Sequence, residues 1–253
     1  MPVMETEPIT PSTPRPVRRP TLVQGWHELT FVHWPVAPEE VAGLLPAGTR
    51  PDTLDGVTYV GLVPFMMRGA GFGAGPGLPY LGTFCETNVR LYSVDGEGRR
   101  GVVFRSLDAA RLLPALVGRL GVRLPYTWSA MNLRREHDVI TYSCRRRPPE
   151  TGPASRAVVR IGGRITEPTP LERFLTARWG LHVSWHGRTV HLPNDHQPWP
   201  LHRAELLDLD DGLVTAAGLP RMTRPPVSVL YSPGVAVRFG TPSVLSPPRS
   251  RGR

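Results

Sequence analysis

The chain has 253 residues, 40% of them hydrophobic and 20% charged, with a formal net charge of +9. That length buries a substantial core, and 30 prolines with 26 glycines exclude a protein built of long helices. Every one of the 30 basic Lys/Arg residues is arginine. Without a lysine, no side-chain Schiff base and no Walker A phosphate loop can form.

The two cysteines, Cys85 and Cys144, give neither a disulfide framework nor metal-ligand spacing. The first twenty residues lack the apolar core of a signal peptide, and no apolar run reaches the ~18 residues of a membrane span. The expectation is a soluble, cytoplasmic protein with no membrane partner. Basic charge raises nucleic acid as a partner, but Arg145-Arg146-Arg147 and the C-terminal arginines form its only clusters, and no nucleic-acid-binding signature accompanies them. They read as a solvated strand end and a tail.

Residues 1–20 carry six prolines among Thr, Glu and Arg and are expected to be a disordered tail, as is the basic stretch 246–253. Residues 21–245 show no composition break or internal repeat and are read as one domain. Leu22 to Val36 mixes apolar and aromatic residues, and alternation from Leu29 to Trp34 suggests a strand ending at Pro35; Pro38-Glu39-Glu40 then opens a short helix. Val57 to Met67 is apolar on both faces, as in a central strand, with Pro64 marking a bulge or an edge stretch. Gly69 to Pro79 reads as a glycine-rich loop that does not fit a dinucleotide-binding pattern.

Cys85 to Val94 alternates cleanly, placing Glu86, Asn88, Arg90 and Tyr92 on one face. Asp95-Gly96 begins a hairpin turn, and Val102 to Leu107 returns as a strand that delivers Asp108. Ala109 to Leu120 reads as a helix interrupted by Pro114. Tyr126 to Arg135 and Val139 to Arg147 form a second hairpin, and Arg156 to Arg164 another strand. Pro170 to Arg178 is a short amphipathic helix with Leu171, Phe174 and Leu175 as its apolar side. Leu181 to His186 and Thr189 to Leu192 make a hairpin, followed by a loop at Pro193 to Pro200 and a mixed stretch to Asp210. A short helix surrounds Leu213 to Ala217. Val227 to Tyr231 and Val235 to Phe239 read as a closing hairpin with Pro233-Gly234 at its turn. About ten strands joined mainly by hairpins predict an antiparallel sheet.

The ordered motifs Phe31-Val32-His33-Trp34-Pro35-Val36, Leu44-Leu45-Pro46, Val63-Pro64-Phe65, Met67-Arg68-Gly69, Glu86-Thr87-Asn88-Val89-Arg90, Phe104-Arg105-Ser106-Leu107-Asp108, Leu124-Pro125-Tyr126 and Pro198-Trp199-Pro200-Leu201 resemble an uncharacterised bacterial family, the YqjF-like proteins, over nearly all of 21–240. That family is similar to the acetoacetate decarboxylase superfamily. The resemblance implies an α+β, mainly β fold: a cone-shaped antiparallel β-barrel with a few short peripheral helices around a cavity. The decarboxylases use a lysine pair after a proline. Here the matching place is Pro125-Tyr126-Thr127, so Tyr126 and Thr127 stand where the lysines stand, and Glu86 matches an acid of the pocket. The fold carries over but an imine mechanism does not.

These residues leave two readings open. In one, Glu86 is a general acid or base and Tyr126 a hydrogen-bond donor to a substrate carbonyl, while Arg68 or Arg90 holds an anionic group and Asn88, Asp108 and Thr127 complete the substrate site. In the other, Glu86 and Arg90 make a surface ion pair, Asp108 caps a helix and Tyr126 is a core tyrosine. The function is correspondingly that of a small-molecule-binding protein, either an acid-base enzyme on a small carbonyl or carboxylate compound or a non-catalytic binder. No metal or cofactor is expected: His182, His186, His191, His196 and His202 lie close in sequence without a recognised ligand pattern. A homo-oligomer is compatible with this reading.

Overall fold

The computed structural model describes residues 5–73, 82–111 and 124–245. Thirteen strands and three short helices make up the described fold. In chain order they are β1 (Leu22–Val36), α1 (Pro38–Ala42), β2 (Thr49–Pro51), β3 (Thr58–Phe72), β4 (Phe84–Asp95), β5 (Arg100–Ala109), β6 (Tyr126–Glu136), β7 (Val139–Arg146) and β8 (Ala154–Arg164). Then follow α2 (Pro170–Thr176), β9 (Gly180–Trp185), β10 (Arg188–His196), β11 (His202–Asp211), α3 (Leu213–Ala216), β12 (Ser228–Phe239) and β13 (Ser243–Val244).

The sheet closes on itself through β5-β6-β7-β8-β11-β12-β1-β3-β4, a nine-stranded barrel. It also forks. The Leu107–Ala109 end of β5 pairs with β6, while Val102 pairs with β9. The Leu230–Tyr231 stretch of β12 pairs with β11, while Val237–Phe239 pairs with β10. The hairpin β9–β10 therefore closes a second circuit over the shared wall β12-β1-β3-β4-β5, and the strands of this circuit line the hollow. The expected antiparallel sheet needs one correction: β5 runs parallel to both β6 and β9, because β5 is joined to each by a crossover rather than a hairpin.

Local chemistry accounts for the wall. Pro64 has no N–H to give to a ladder, and it falls in the irregular stretch between the pairs His27↔Met66 and Val32↔Leu62. Glu28 on β1 takes a positive φ of 50° in the same stretch, so both strands bend there. The Asp95 side chain accepts from the backbone N–H of Glu97 at 2.9 Å and of Arg99 at 3.0 Å, which shapes the β4–β5 turn. Thr169 and Glu172 form a reciprocal capping box at the start of α2, and Phe174 and Leu175 are buried beneath it.

Several expected elements differ. The expected hairpin at Val227 to Phe239 is instead, from Ser228 on, the single strand β12, paired along β1 from Leu22↔Phe239 to His33↔Ser228. Pro233-Gly234 is a kink in that strand: Gly234 has a φ of 133°, and a Cβ there would lie 2.2 Å from the Trp26 carbonyl oxygen. The expected loop at Pro193 to Pro200 is strand as far as His196, and the mixed stretch that follows is β11. Gly69 to Phe72 continues β3 rather than opening a loop. Ala109 ends β5, and the rest of the expected helix to Leu120 lies, from residue 112 on, outside the described residues, as does the 246–253 tail.

Residues 5–20, expected from their composition to be a disordered tail, touch the barrel at a few specific points. The Glu7 N–H donates to the Gly98 carbonyl at 2.9 Å, the Arg100 N–H to Glu7 Oε1 at 2.8 Å, and the Trp179 indole to the Thr10 carbonyl at 3.1 Å. Val17 is buried, and its N–H donates to Asp195 Oδ2 at 3.1 Å. Prolines leave few N–H groups in this stretch, so specific anchors at Glu7, Thr10 and Val17 hold it rather than a ladder.

Candidate functional site

β4 supplies the chemistry, because its alternation points Phe84, Glu86, Asn88 and Arg90 into one cavity of about 280 Å³. Trp26, Leu29 and Phe31 of β1 and Val63, Phe65 and Met67 of β3 line the same wall. Facing them are Leu181 of β9, Leu192, Asn194 and His196 of β10, and Arg178 and Trp199 from the connecting segments. Most of this surface is aromatic or aliphatic, with a few convergent polar groups, which is the composition of a small-molecule pocket.

Glu86 pairs across the sheet with Phe65 on one side and Ala109 on the other. Neither neighbour offers a charge or a hydrogen bond, and the side chain is 4% exposed. Burial pushes the Glu86 carboxyl up to about 8, partly opposed by the Tyr126 hydroxyl, which donates to Glu86 Oε2 at 3.1 Å. At neutral pH this carboxyl holds its proton and can donate a hydrogen bond into the cavity. Burial and the neighbouring Glu86 together push the Tyr126 hydroxyl well above its ordinary value, so it stays a donor.

Arg90 lies four residues along the same strand, about 13 Å from Glu86 at ~3.3 Å per residue. Its Nη2 donates to the Leu175 carbonyl at 2.9 Å and its Nε to the Tyr92 hydroxyl at 3.2 Å. The guanidinium also stacks on Phe31 at 5.3 Å. Gly61 makes this possible. It stands between His33 and Arg90 in the sheet, and a Cβ there would come 3.0 Å from His33 Nε2 and 3.1 Å from Arg90 Cγ. Arg178 donates from Nε to the Phe174 carbonyl at 2.8 Å and from Nη1 to the buried Asp52 carboxylate, which also pairs with Arg100. Asn88 Oδ1, Asn194 Oδ1 and Arg178 Nη2 are buried without a protein partner. Burial lowers His196 to about 4, so its ring is neutral between Trp179 and Trp199.

Of the residues singled out from sequence, Glu86, Asn88, Arg90 and Tyr126 come together here. Three do not. Arg68 is exposed outside the cavity. Asp108 lies inside β5, so it caps no helix and does not face Glu86 in the cavity. It accepts from Arg146 Nε at 2.9 Å, Ser106 Oγ at 2.7 Å and Ser129 Oγ at 2.8 Å, a closed network in the barrel wall. Thr127 points with that network and donates to Glu150 at 3.3 Å, because alternation on β6 sends it away from Tyr126. The Arg145-Arg146-Arg147 run is likewise not a solvated strand end throughout: Arg146 is buried on Asp108, and Arg147 stacks on Trp128 at 4.9 Å. Sequence reasoning missed Arg178, Asn194, Trp26 and Trp199. The Pro198-Trp199-Pro200 motif was the one signal for the last, since Pro on both sides fixes a tryptophan in a connecting segment.

A Ser–His–Asp arrangement also occurs, with Ser93 Oγ 2.8 Å from His182 Nδ1 and His182 Nε2 3.3 Å from Asp95 Oδ2. All three are sealed in the junction of β4, β5 and β9, away from the cavity, and Ser93 is fully buried. The arrangement is a buried polar brace with no access for a substrate. Among the described residues no group of three or more His, Cys, Asp or Glu side chains is placed to hold a metal ion, and no helix is long and apolar enough to cross a membrane.

Comparison with known proteins agrees with this architecture. The chain is 31% identical over 183 residues to the uncharacterized protein YqjF of Bacillus subtilis (strain 168), covering 72% of this chain and 75% of that protein. The enduracididine biosynthesis enzyme MppR complexed with pyruvate superposes with a TM-score of 0.61 at 15% identity, over 90% of this chain and 91% of that one. An acetoacetate decarboxylase-like enzyme from Sphingomonas wittichii RW1 gives the same TM-score of 0.61 at 15% identity, over 89% and 93%. Acetoacetate decarboxylase from Legionella pneumophila gives 0.56 at 14% identity, over 93% of each chain. These likenesses establish the fold as acetoacetate decarboxylase-like. Residues 23–236 match the model of DUF2071, described as an uncharacterized conserved protein, and the chain belongs to that family.

Proposed function

We propose that the barrel cavity binds a small anionic carbonyl or carboxylate compound without a covalent link and acts on it by acid-base chemistry. The observation that carries this reading is the pairing, in one mostly apolar cavity, of a carboxyl that keeps its proton at neutral pH with a guanidinium four residues along the same strand. Arg90 holds the anionic end through its remaining N–H groups. The neutral Glu86 carboxyl hydrogen-bonds a carbonyl or hydroxyl oxygen at the other end, with Tyr126 as the group that positions it. Asn88 and Asn194 offer unpartnered amide oxygens between the two. The pyruvate of the MppR complex lends support to a carboxylate ligand in this fold. The ~13 Å between the two strand positions and the walls of Trp26, Phe31 and Trp199 favour a longer acid with an apolar or aromatic body.

The apolar majority of the wall also favours a second reading, a non-catalytic binder using the same contacts. A thermal-shift series of 2-oxo and aryl carboxylates of increasing length tests both. Saturable stabilisation that grows with chain length and is lost in Arg90→Gln supports the site; no response from any carboxylate rejects it. Turnover of a stabilising compound, abolished in Glu86→Gln while binding persists, separates enzyme from binder.

A further inference from the structure

β10 has two faces, and only one of them belongs to the cavity. Leu192, Asn194 and His196 line the hollow, whereas His191 and Pro193 turn outward into a second cleft of about 320 Å³. Its other walls are Arg15, Val17, Arg18 and Arg19 of the N-terminal segment, Arg99 of the β4–β5 turn, and Gly240, Thr241 and Ser243 beyond β12. Four guanidinium groups from two separate parts of the chain thus converge on one concavity.

The acids nearby do not satisfy them. Glu7 takes Arg15 through both oxygens, at 2.5 Å and 3.0 Å. Asp95 takes Arg99 Nε at 2.7 Å, and Glu97 takes Arg99 Nη1 at 3.1 Å. After those pairings Arg15 Nε and Arg99 Nη2 remain buried with no partner. Arg18 and Arg19 are exposed and make no ion pair or hydrogen bond among the described residues. Asp195, the remaining acid on this face of β10, is taken by Arg238 at 2.8 Å and by the Val17 N–H. His191 is 2% exposed, and burial and neighbouring positive groups keep its ring neutral, so the guanidiniums alone supply the positive charge of the cleft.

Two buried guanidinium N–H groups without acceptors, beside two unpaired arginines, lack the one thing an oxyanion supplies: several strong acceptor oxygens pointing in different directions. We propose that this cleft is a binding site for a phosphate-class oxyanion, free or carried on a small metabolite, and that the anion ties residues 15–19 to the barrel. A single carboxylate offers fewer acceptor directions than four converging guanidiniums present. A long polyanion would demand a basic track beyond the cleft, whereas Gly240, Thr241, Ser243 and Pro193 on its far side carry no charge. The site is separate from the proposed carbonyl cavity, yet its occupancy bears on that cavity because β10 is the partition between them.

The test is a titration of the full chain with inorganic pyrophosphate against sodium chloride of matched ionic strength, read by calorimetry and by melting temperature. Saturable binding is expected, weakened at least tenfold in Arg18→Gln/Arg19→Gln, whose exposed side chains bear no load in the fold. Arg99→Gln is expected to weaken it as well, with circular dichroism confirming that the variant remains folded. Trypsin cleavage at the Arg18–Arg19 bond should slow when pyrophosphate is present. A response no larger than that to sodium chloride overturns the proposal. So does unchanged affinity in Arg18→Gln/Arg19→Gln, or binding confined to anionic vesicles or single-stranded oligonucleotides.

Discussion

The Tyr126 hydroxyl, at the start of β6, donates a hydrogen bond of 3.1 Å to Glu86 Oε2 on β4. The two strands do not pair in this region; each pairs with β5, at Leu107 and Ala109 respectively. The contact therefore crosses over β5 and depends on the parallel step of β6. It joins Glu86, the one acid among the described residues that line the cavity, to a hydroxyl carried by a different strand.

Replacing Tyr126 by Phe removes a donor to the ionised carboxyl and leaves the burial unchanged. Because the hydroxyl lowers the Glu86 pKa, Tyr126→Phe should raise it above the wild-type value near 8. Carbon-13 NMR titration of the carboxyl measures this directly. A fall, or no change, would show that the hydroxyl does not act on Glu86.

Glu86 also shapes stability against pH. Its folded pKa, about 8, lies above the unfolded value of 4.5, so the folded state binds the proton more tightly. Its contribution is fully present below pH 4.5 and is lost as pH rises toward 8, on the order of 5 kcal/mol in all. Glu86→Gln cannot ionise and should keep its stability across that window. Urea unfolding at pH 5, 7 and 9 should show wild type falling and the variant flat; parallel falls contradict the assignment.

Two histidines act with the opposite sign. His191 is lowered to about 3 and His196 to about 4, each first by burial. The unfolded chain takes up their protons first, so stability is whole above pH 6.5 and declines as pH drops toward 4. Replacing His196 by Gln should remove part of that acid slope while leaving the alkaline slope of Glu86 in place. Unfolding free energies at pH 4.5 and 7 give the comparison.

Much of the barrel was legible because the signals are local. The β4 alternation placed Glu86, Asn88 and Arg90 on one face, and the structure keeps them there. Pro64 announced an irregular stretch, and the ladder breaks beside it. The sequence could not show which neighbours cross that face. Asp108 and Thr127 looked available, yet a buried arginine from β7 and a half-exposed acid claim them. Pro233-Gly234 has the chemistry of a turn, but pairing with the long strand β1 in unbroken register carries the chain through it as a kinked strand, since tertiary pairing outweighs a local preference. Arg178, Asn194 and Trp199 reach the cavity from segments whose periodicity carries no sign of it.

Asp52 is the hidden support of the site. Its carboxylate, 2% exposed, pairs with both Arg100 and Arg178. Asp52→Asn leaves the buried Arg178 charge without its counterion and should cost about 3–5 kcal/mol. Denaturant melts measure the loss. Asp52→Ala in an Arg178→Met background should cost much less than the sum of the two single changes, since the pair is removed together.

The proposed chemistry of the cavity needs a neutral carboxyl in the hollow at physiological pH. Following the Glu86 carboxyl carbon by NMR from pH 4 to 10, assigned by its absence in Glu86→Gln, tests that most directly. A midpoint near 8 that moves when a stabilising carboxylate is added is the predicted result. A midpoint near 4.5, unmoved by any such compound, would contradict it.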